Sequence, residues 1–286
     1  MDQKVIDLYD RYTHEPLDRR VFLARLAELT GGIASALALM PLLESNRAHA
    51  AMVAVDDPRL DTSHPRYPGA TGDIKAYMAR PKGASKLPAV IVVHENRGLN
   101  PHIEDVTRRV AVQGFLALAP DFLSPLGGTP ADEDTARDMT GKLDAKRTTQ
   151  NAVAAVAFLE KHPNSNGKVG VIGFCWGGTL VGEVAVNAPH LDAAVVYYGR
   201  PPKTEDVGNI KAPLLLHYAG LDKRVNEGVP AFEDALKKSK KKYVLYMYEG
   251  ANHAFNNDTG AARYNKQAAE LAWSRTIAFL KEHLNA

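Results

Sequence analysis

Val169-Gly170-Val171-Ile172-Gly173-Phe174-Cys175-Trp176-Gly177-Gly178 decides the fold of this chain of 286 residues. The apolar run over 168–172 reads as a buried strand, and 178–187 reads as a helix. Between them lies a cysteine with glycine two residues before and two after. A strand that reverses sharply into a helix leaves no room for side chains at those positions, so the pattern is that of a nucleophile held in a strained turn. The first N–H groups of such a helix point back at the turn, where they favour a thiolate and an oxyanion. A lone cysteine is ordinarily a small buried hydrophobe. The paired glycines and the strand–turn–helix setting single this one out.

Working outward, strands and helices alternate. Asp73-Ile74-Lys75-Ala76-Tyr77-Met78-Ala79 alternates polar and apolar residues, as a half-buried antiparallel strand does. Ala89-Val90-Ile91-Val92-Val93 is apolar throughout, the mark of a strand covered on both faces. Helix 102–113 and strand 115–119 follow, then a polar stretch over 124–143 that reads as a loop over the sheet. Helix 144–161 precedes the quoted segment. After it come strands 193–197 and 214–218, helix 229–240, strand 243–248 and a closing helix over 262–283. This alternation predicts an α/β fold with a mostly parallel central sheet and helices on both faces.

Composition narrows the function. Hydrophobic residues make up 45% and charged residues 24%, and 35 basic side chains face 33 acidic ones for a net charge of +2. These values exclude a disordered chain and a polytopic membrane protein, and they give no basic face for nucleic acid. One cysteine permits no intramolecular disulfide.

The first fifty residues differ from the rest. Arg19-Arg20-Val21-Phe22-Leu23 precedes an uncharged run over 29–43, and Arg47 and Ala48-His49-Ala50 follow. A basic region, a short apolar run and a small-x-small site form the order of a secretory signal, and the run is too short to span a membrane. The Arg-Arg-x-Phe-Leu core resembles a twin-arginine signal, although Asp18 and Ala24 depart from its preferences. The expectation is a leader over 1–50, a single domain over 51–286, transient use of the twin-arginine export machinery, and a periplasmic or secreted product. A leader without function would leave the protein cytoplasmic. The alternative is an amphipathic helix docked on the domain beside a chance Arg-Arg pair.

In a fold of this type the acid and the base follow the nucleophile, each in a loop after a later strand. Asp222 follows strand 214–218, and His253 follows strand 243–248. His253 would act as general base, with Asp222 fixing its tautomer. Asp206 and Asp234 are rival acids. His217 lies within a strand, and His94 precedes the nucleophile.

At these residues the chain resembles the dienelactone hydrolase family of α/β hydrolases. The resemblance rests on Gly-Phe-Cys-Trp-Gly-Gly at 173–178, His-Glu-Asn-Arg-Gly at 94–98, Tyr-Tyr-Gly at 197–199, Asp222 and Asn-His-Ala-Phe at 252–255, and it covers about residues 65–285. It implies Cys175 as nucleophile, Asp222 as acid and His253 as base. It also implies that Glu95 holds the resting thiol and takes its proton when substrate binds. The N–H groups of Asn96 and Trp176 would form the oxyanion hole, and Tyr198 would line the pocket. From the residues alone, Glu95 at a buried strand end needs a hydrogen bond or a proton, or a salt bridge to Arg97 or Arg108. One departure concerns substrate: Asn257 stands where the dienelactone-cleaving enzymes carry an arginine that binds the substrate carboxylate. Arg137 could match their other arginine.

The expectation is therefore a hydrolase that cleaves a small-molecule ester or lactone through a thioester. It would need no cofactor and no metal, and would be a monomer or small homo-oligomer. Trp176, Phe122, Tyr198 and Phe255 are candidates for an apolar pocket wall. Two alternatives remain: hydrolysis of a thioester or peptide bond on the same fold, and a thiol sensor or ligand-binding protein in which Cys175 is oxidised rather than acylated. A zinc or iron site finds no ligand spacing along the chain.

Overall fold

The computed structural model describes residues 1–15, 17–44 and 51–285. Arg47 and Ala48-His49-Ala50, the expected cleavage site, lie outside the described residues. The elements in chain order are α1 (Gln3–His14), α2 (Arg19–Thr30), α3 (Ile33–Leu43), β1 (Leu60–Ser63), β2 (Arg66–Gly69), β3 (Gly72–Pro81), β4 (Leu87–Val93), α4 (Pro101–Ala111), β5 (Leu116–Pro120), α5 (Glu133–Thr140), α6 (Ala145–Glu160), β6 (Ser165–Phe174), α7 (Trp176–Asn187), β7 (Ala193–Tyr197), β8 (Leu214–Ala219), α8 (Lys223–Asn226), α9 (Val229–Lys238), β9 (Tyr243–Tyr248) and α10 (Lys266–Leu284).

The sheet runs β1-β3-β5-β4-β6-β7-β8-β9, with β2 also paired to β3. From β5 to β9 every pairing is parallel, and β1, β2 and β3 form an antiparallel edge. The expected α/β class and mixed sheet are present. The pleat explains why β4 is apolar throughout. Ala89, Ile91 and Val93 face a core closed by α6, α7 and α9, while Val90 and Val92 face a second core closed by α4 and α10. Parallel strands that end together bring their loops to one edge, and the loops after β4, β6, β8 and β9 meet there.

Three expectations need correction. The stretch over 124–143 is not all loop, because Asp132 caps α5 by accepting from the Thr135 N–H. The closing helix begins four residues late: Asn265 caps it by accepting from Ala268 N–H, and turns occupy the preceding residues. Strands β1 and β2 were not foreseen, since four-residue edge strands with exposed polar positions carry little periodic signal.

The segment set aside as a leader is folded onto the domain over 3–43. Its helices enclose an apolar core of their own, built from Val5, Leu8, Tyr9, Tyr12, Phe22, Leu26, Ala36, Met40 and Leu43. Tyr12 and Phe22 stack at 4.3 Å. The helices α2 and α3 meet at 109°. Gly31 at the bend has φ 79°, a conformation that costs glycine little. No helix among the described residues is long and apolar enough to cross a membrane alone.

Candidate active site

Cys175 forms the turn between β6 and α7 with φ 58° and ψ −116°, well outside the comfortable regions for a side chain. The surrounding structure holds it there. Its N–H donates to Tyr197 O at 3.0 Å, and its carbonyl accepts from Thr179 N–H at 3.1 Å. The flanking glycines are required by contact: a Cβ on Gly173 would collide with the Gly177 carbonyl, and one on Gly177 with the His94 carbonyl.

Asp222 follows β8 and caps α8, with Oδ1 accepting from Val225 N–H at 3.2 Å. Its Oδ2 lies 2.5 Å from His253 Nδ1. That bond fixes the His253 ring, and Nε2 is left buried and without a hydrogen-bond partner on the thiol side. Cys175 Sγ and a ring nitrogen of His253 lie within 4.8 Å of each other. The rivals are placed elsewhere. His217 is enclosed by Thr276 and Tyr248, and burial, then Arg275, pushes its pKa down to about 3. His94 Nε2 accepts from Phe122 N–H at 3.2 Å, and its Nδ1 lies 2.6 Å from Glu95 O. Both are neutral structural histidines.

The hydrogen bond to the thiol comes from a residue outside the expected set. His14, at the end of α1, places Nε2 3.0 Å from Cys175 Sγ. Its Nδ1 lies 2.8 Å from Asp10 O and 3.1 Å from Asp10 Oδ1. Asp10 Oδ2 in turn accepts from Arg224 Nε at 3.2 Å, with Arg263 Nη1 3.7 Å from Oδ1. Nothing in the sequence pointed to His14, since it precedes the nucleophile by 161 residues. The single available signal was the i,i+4 spacing of Asp10 and His14 on one helix face.

The electrostatics follow from these contacts. Burial alone would raise the thiol, but the positive charges of His14 and then His253, with the hydrogen bond from His14, outweigh it and bring Cys175 down to about 6. Burial likewise disfavours imidazolium at His253, yet Asp222, Cys175 and Asp10 together raise it to about 10. His14 is raised against its own burial by Cys175 and Asp10. Asp222 and Asp10 are held below the usual carboxylate range despite burial, each with His253 as its foremost positive neighbour. Together these contacts favour the thiolate form of Cys175 beside the His14 and His253 rings.

Glu95 does not hold the thiol. Its Oε2 accepts from Asn257 Nδ2 at 2.7 Å, so the carboxylate is turned toward the residue that replaces the expected arginine. Nor does it pair with Arg97 or Arg108. Arg97 bonds Asp134, and Arg108 bonds Val53 O and the Tyr77 hydroxyl.

A cavity of about 790 Å³ opens on Cys175 and is lined by Asn96, Trp176, Tyr198, Arg137, Arg200 and His253 among others. Asn96 is anchored by its side chain to Thr13 O at 2.7 Å. As the first residue of α7, Trp176 has an N–H with no intrahelical partner, so it is free to receive an oxyanion beside Cys175. Tyr198 has φ 39° and a buried hydroxyl without a hydrogen-bond partner among the described residues. Phe122 and Phe255, expected in the wall, are fully buried behind it: Phe122 packs on Trp176 and His94, and Phe255 on Tyr198 and Tyr248. Arg137 reaches the cavity from α5, with its guanidinium 4.6 Å from the Tyr12 ring centroid. Among the described residues, Cys175 Sγ and one nitrogen each of His14 and His253 lie within 4.8 Å of one another. Chain spacing could not show this set, because one of its members comes from α1.

A family model described as the dienelactone hydrolase family matches residues 74–284. The chain belongs to the dienelactone hydrolase family. A protein of Saccharolobus solfataricus assigned as a carboxymethylenebutenolidase is 35% identical over 244 residues, covering 73% of this chain and 93% of that one. A protein of Bradyrhizobium assigned as a 2-oxo-3-(5-oxofuran-2-ylidene)propanoate lactonase is 32% identical over 231 residues, covering 76% and 92%. A crystal structure assigned as a dienelactone hydrolase from Klebsiella pneumoniae superposes with a TM-score of 0.70 at 29% identity, covering 78% of this chain and 99% of that one. The family's activity class is hydrolysis of ester or lactone bonds, and this member is such a hydrolase. A second family model, described as YqhI-like, matches residues 1–32.

Proposed function

We propose that this dienelactone hydrolase family member cleaves its substrate through a Cys175–His253–Asp222 triad and a thioester intermediate. The observation that carries the reading is the buried, unpartnered His253 Nε2 aimed at the Cys175 side, with Asp222 behind it and a cavity in front.

The thiolate attacks the carbonyl carbon, and the N–H groups of Trp176 and Asn96 receive the oxygen as it becomes negative. Collapse of the tetrahedral adduct breaks the carbon–oxygen ester bond, and His253 imidazolium gives its proton to the departing alkoxide. In a lactone that alkoxide stays tethered through the ring. Neutral His253 then takes a proton from water, whose oxygen attacks the thioester. A second collapse expels the thiolate and leaves the carboxylic acid, while Asp222 stabilises the imidazolium in both halves.

Asn257 is bonded to Glu95, so the carboxylate clamp of the dienelactone-cleaving enzymes is not reproduced at that corner. The proposed substrates are small esters and lactones in general, with Arg137 and Tyr198 as the polar groups that orient them. A panel of aryl esters, lactones and thioesters, run with Cys175→Ala alongside, tests the reading. Turnover by that variant at the wild-type rate would overturn it, and intact mass after substrate addition separates an acyl adduct from an oxidised thiol. Export through Arg19 and Arg20 is a separate proposal, and removal of the leader after Ala50 would be incompatible with the retention of residues 1–44 proposed below. Changing both to Lys should trap an exported protein inside the cell, and unchanged export would remove it.

A further inference from the structure

We propose that residues 1–44 are a permanent part of the enzyme and that His14, aligned by Asp10, is a second imidazole on the nucleophile, holding the sulfur of Cys175 as a thiolate before substrate arrives. The inference rests on the triad reading for the role of Cys175 and deepens it: the partner of the resting sulfur is His14, where the family resemblance implied Glu95.

Geometry carries this in three ways. First, the hydrogen bond of the resting sulfur is made by His14 Nε2 at 3.0 Å, while Glu95 is committed to Asn257. Proton transfer from the thiol to His14 gives a thiolate and an imidazolium, and Asp10 at Nδ1 stabilises the product. His253, edge-on to His14 with ring centroids 4.6 Å apart, is left to serve the leaving group and the water.

Second, the domain is built to receive the segment. Arg263 has 12% of its side chain exposed, and it finds Asp10 at 3.7 Å and the Tyr9 ring at 5.0 Å. Arg224 bonds Asp10, and Asn96, whose N–H belongs to the proposed oxyanion hole, is anchored by Thr13 O. Removing the segment would take from these groups the partners they have in this structure.

Third, the segment shapes the site without filling it. Thr13, His14 and Glu15 form part of the cavity wall, and about 790 Å³ remains open beside Cys175. The Klebsiella structure is covered over 99% of its length by 78% of this chain, and the separate model over 1–32 falls in a region that the dienelactone hydrolase model leaves unmatched. The charged and titratable groups that face His14 are Asp10 from α1, Cys175 from the turn before α7 and His253 from the loop after β9, and Arg224 from α8 and Arg263 reach Asp10 behind it.

Because the chain has one cysteine, alkylation by iodoacetamide reports the thiolate of Cys175 alone. The rate of alkylation against pH in the full-length protein should show a midpoint near 6. In His14→Asn the midpoint should rise by about one unit or more, a tenfold loss of thiolate on the acid side. Asp10→Asn, which keeps the imidazole, should shift it less and in the same direction. An unchanged midpoint in both variants, each with native circular dichroism, would overturn the proposal. If His14→Asn fails to fold, Asp10→Asn and the mass of the protein purified from its own cells decide. A chain beginning near Met1 supports the inference, and one beginning after Ala50 overturns it. Alkylation needs no turnover. A failed hydrolysis panel with the midpoint near 6 therefore sinks the triad reading and leaves only the His14-held thiolate, while an unmoved midpoint with an active enzyme sinks the role of His14 and leaves the triad.

Discussion

Two imidazole–carboxylate pairs face the same sulfur, and they are made in different ways. His253 and Asp222 come from loops at the ends of β9 and β8, so the register of the parallel sheet sets their distance. His14 and Asp10 share one helix turn, so their own spacing is secured locally, but their distance from Cys175 depends on how α1 docks. The first pair is as rigid as the sheet. The second is as secure as a set of polar and aromatic contacts across a segment interface. In the proposed mechanism the chemistry of every turnover falls to the first pair, and tuning of the nucleophile is proposed for the second.

The largest effects test the sheet-borne pair. Cys175→Ala should lower hydrolysis by about 10⁴-fold or more, and Asp222→Asn by about 10³–10⁴-fold with little change in KM. A kcat within tenfold of wild type for Asp222→Asn would show that His253 is oriented by something other than Asp222. The pH profile comes next. Thiolate forms as pH rises through about 6, and His253 loses its proton through about 10, so kcat/KM should rise across the first and fall across the second. An acid limb centred near the ordinary thiol value of about 8.5 would mean that the two imidazoles do not act on Cys175.

The helix-borne pair predicts a smaller, pH-selective effect. His14→Asn should lower kcat/KM about tenfold at pH 6 and far less at pH 9, where the thiol ionises without help. Equal loss at both values would make His14 a packing residue. Asp10 and Asp222 are both depressed in the folded state, so each contributes stability above its unfolded pKa of about 4 that is lost as pH falls toward the folded value. Acid titration followed by aromatic circular dichroism should therefore show loosening below about pH 4, delayed relative to Asp10→Asn. The smallest effect is expected at Tyr198. Tyr198→Phe removes a buried hydroxyl that lacks a partner and should leave stability equal or higher, while raising KM a few-fold if the hydroxyl binds substrate. A KM equal to wild type would assign Tyr198 to the wall alone.

The difference between the pairs also accounts for what could be read from the chain. Cys175, Asp222 and His253 were legible because a parallel sheet delivers its strand ends in order, and glycine at 173 and 177 marks the turn. The strands over 89–93 and 193–197 were legible because burial on both faces writes continuous apolar runs. His14 was not, because docking between distant segments leaves no periodic mark, and an Arg-Arg pair before an Ala- and Leu-rich run resembles a leader. Glu95 was found as a site residue and given the wrong partner. Its orientation depends on Asn257, whose effect on a neighbouring carboxylate is a matter of three-dimensional contact. Phe122 and Phe255 were found as apolar residues near the site, but composition cannot say which side of Trp176 or Tyr198 they occupy.

Synthesis runs from α1 toward α10, and part of the seat of the first segment is made last. Gln3 bonds Asn252, Asp10 meets Arg224 and Arg263, and the Leu42 carbonyl accepts from Ala262 N–H. A nascent chain therefore lacks these contacts until the final sixty or so residues have left the ribosome, although Asn96, Asp134 and Arg137, which also meet the first helix, are made well before Cys175.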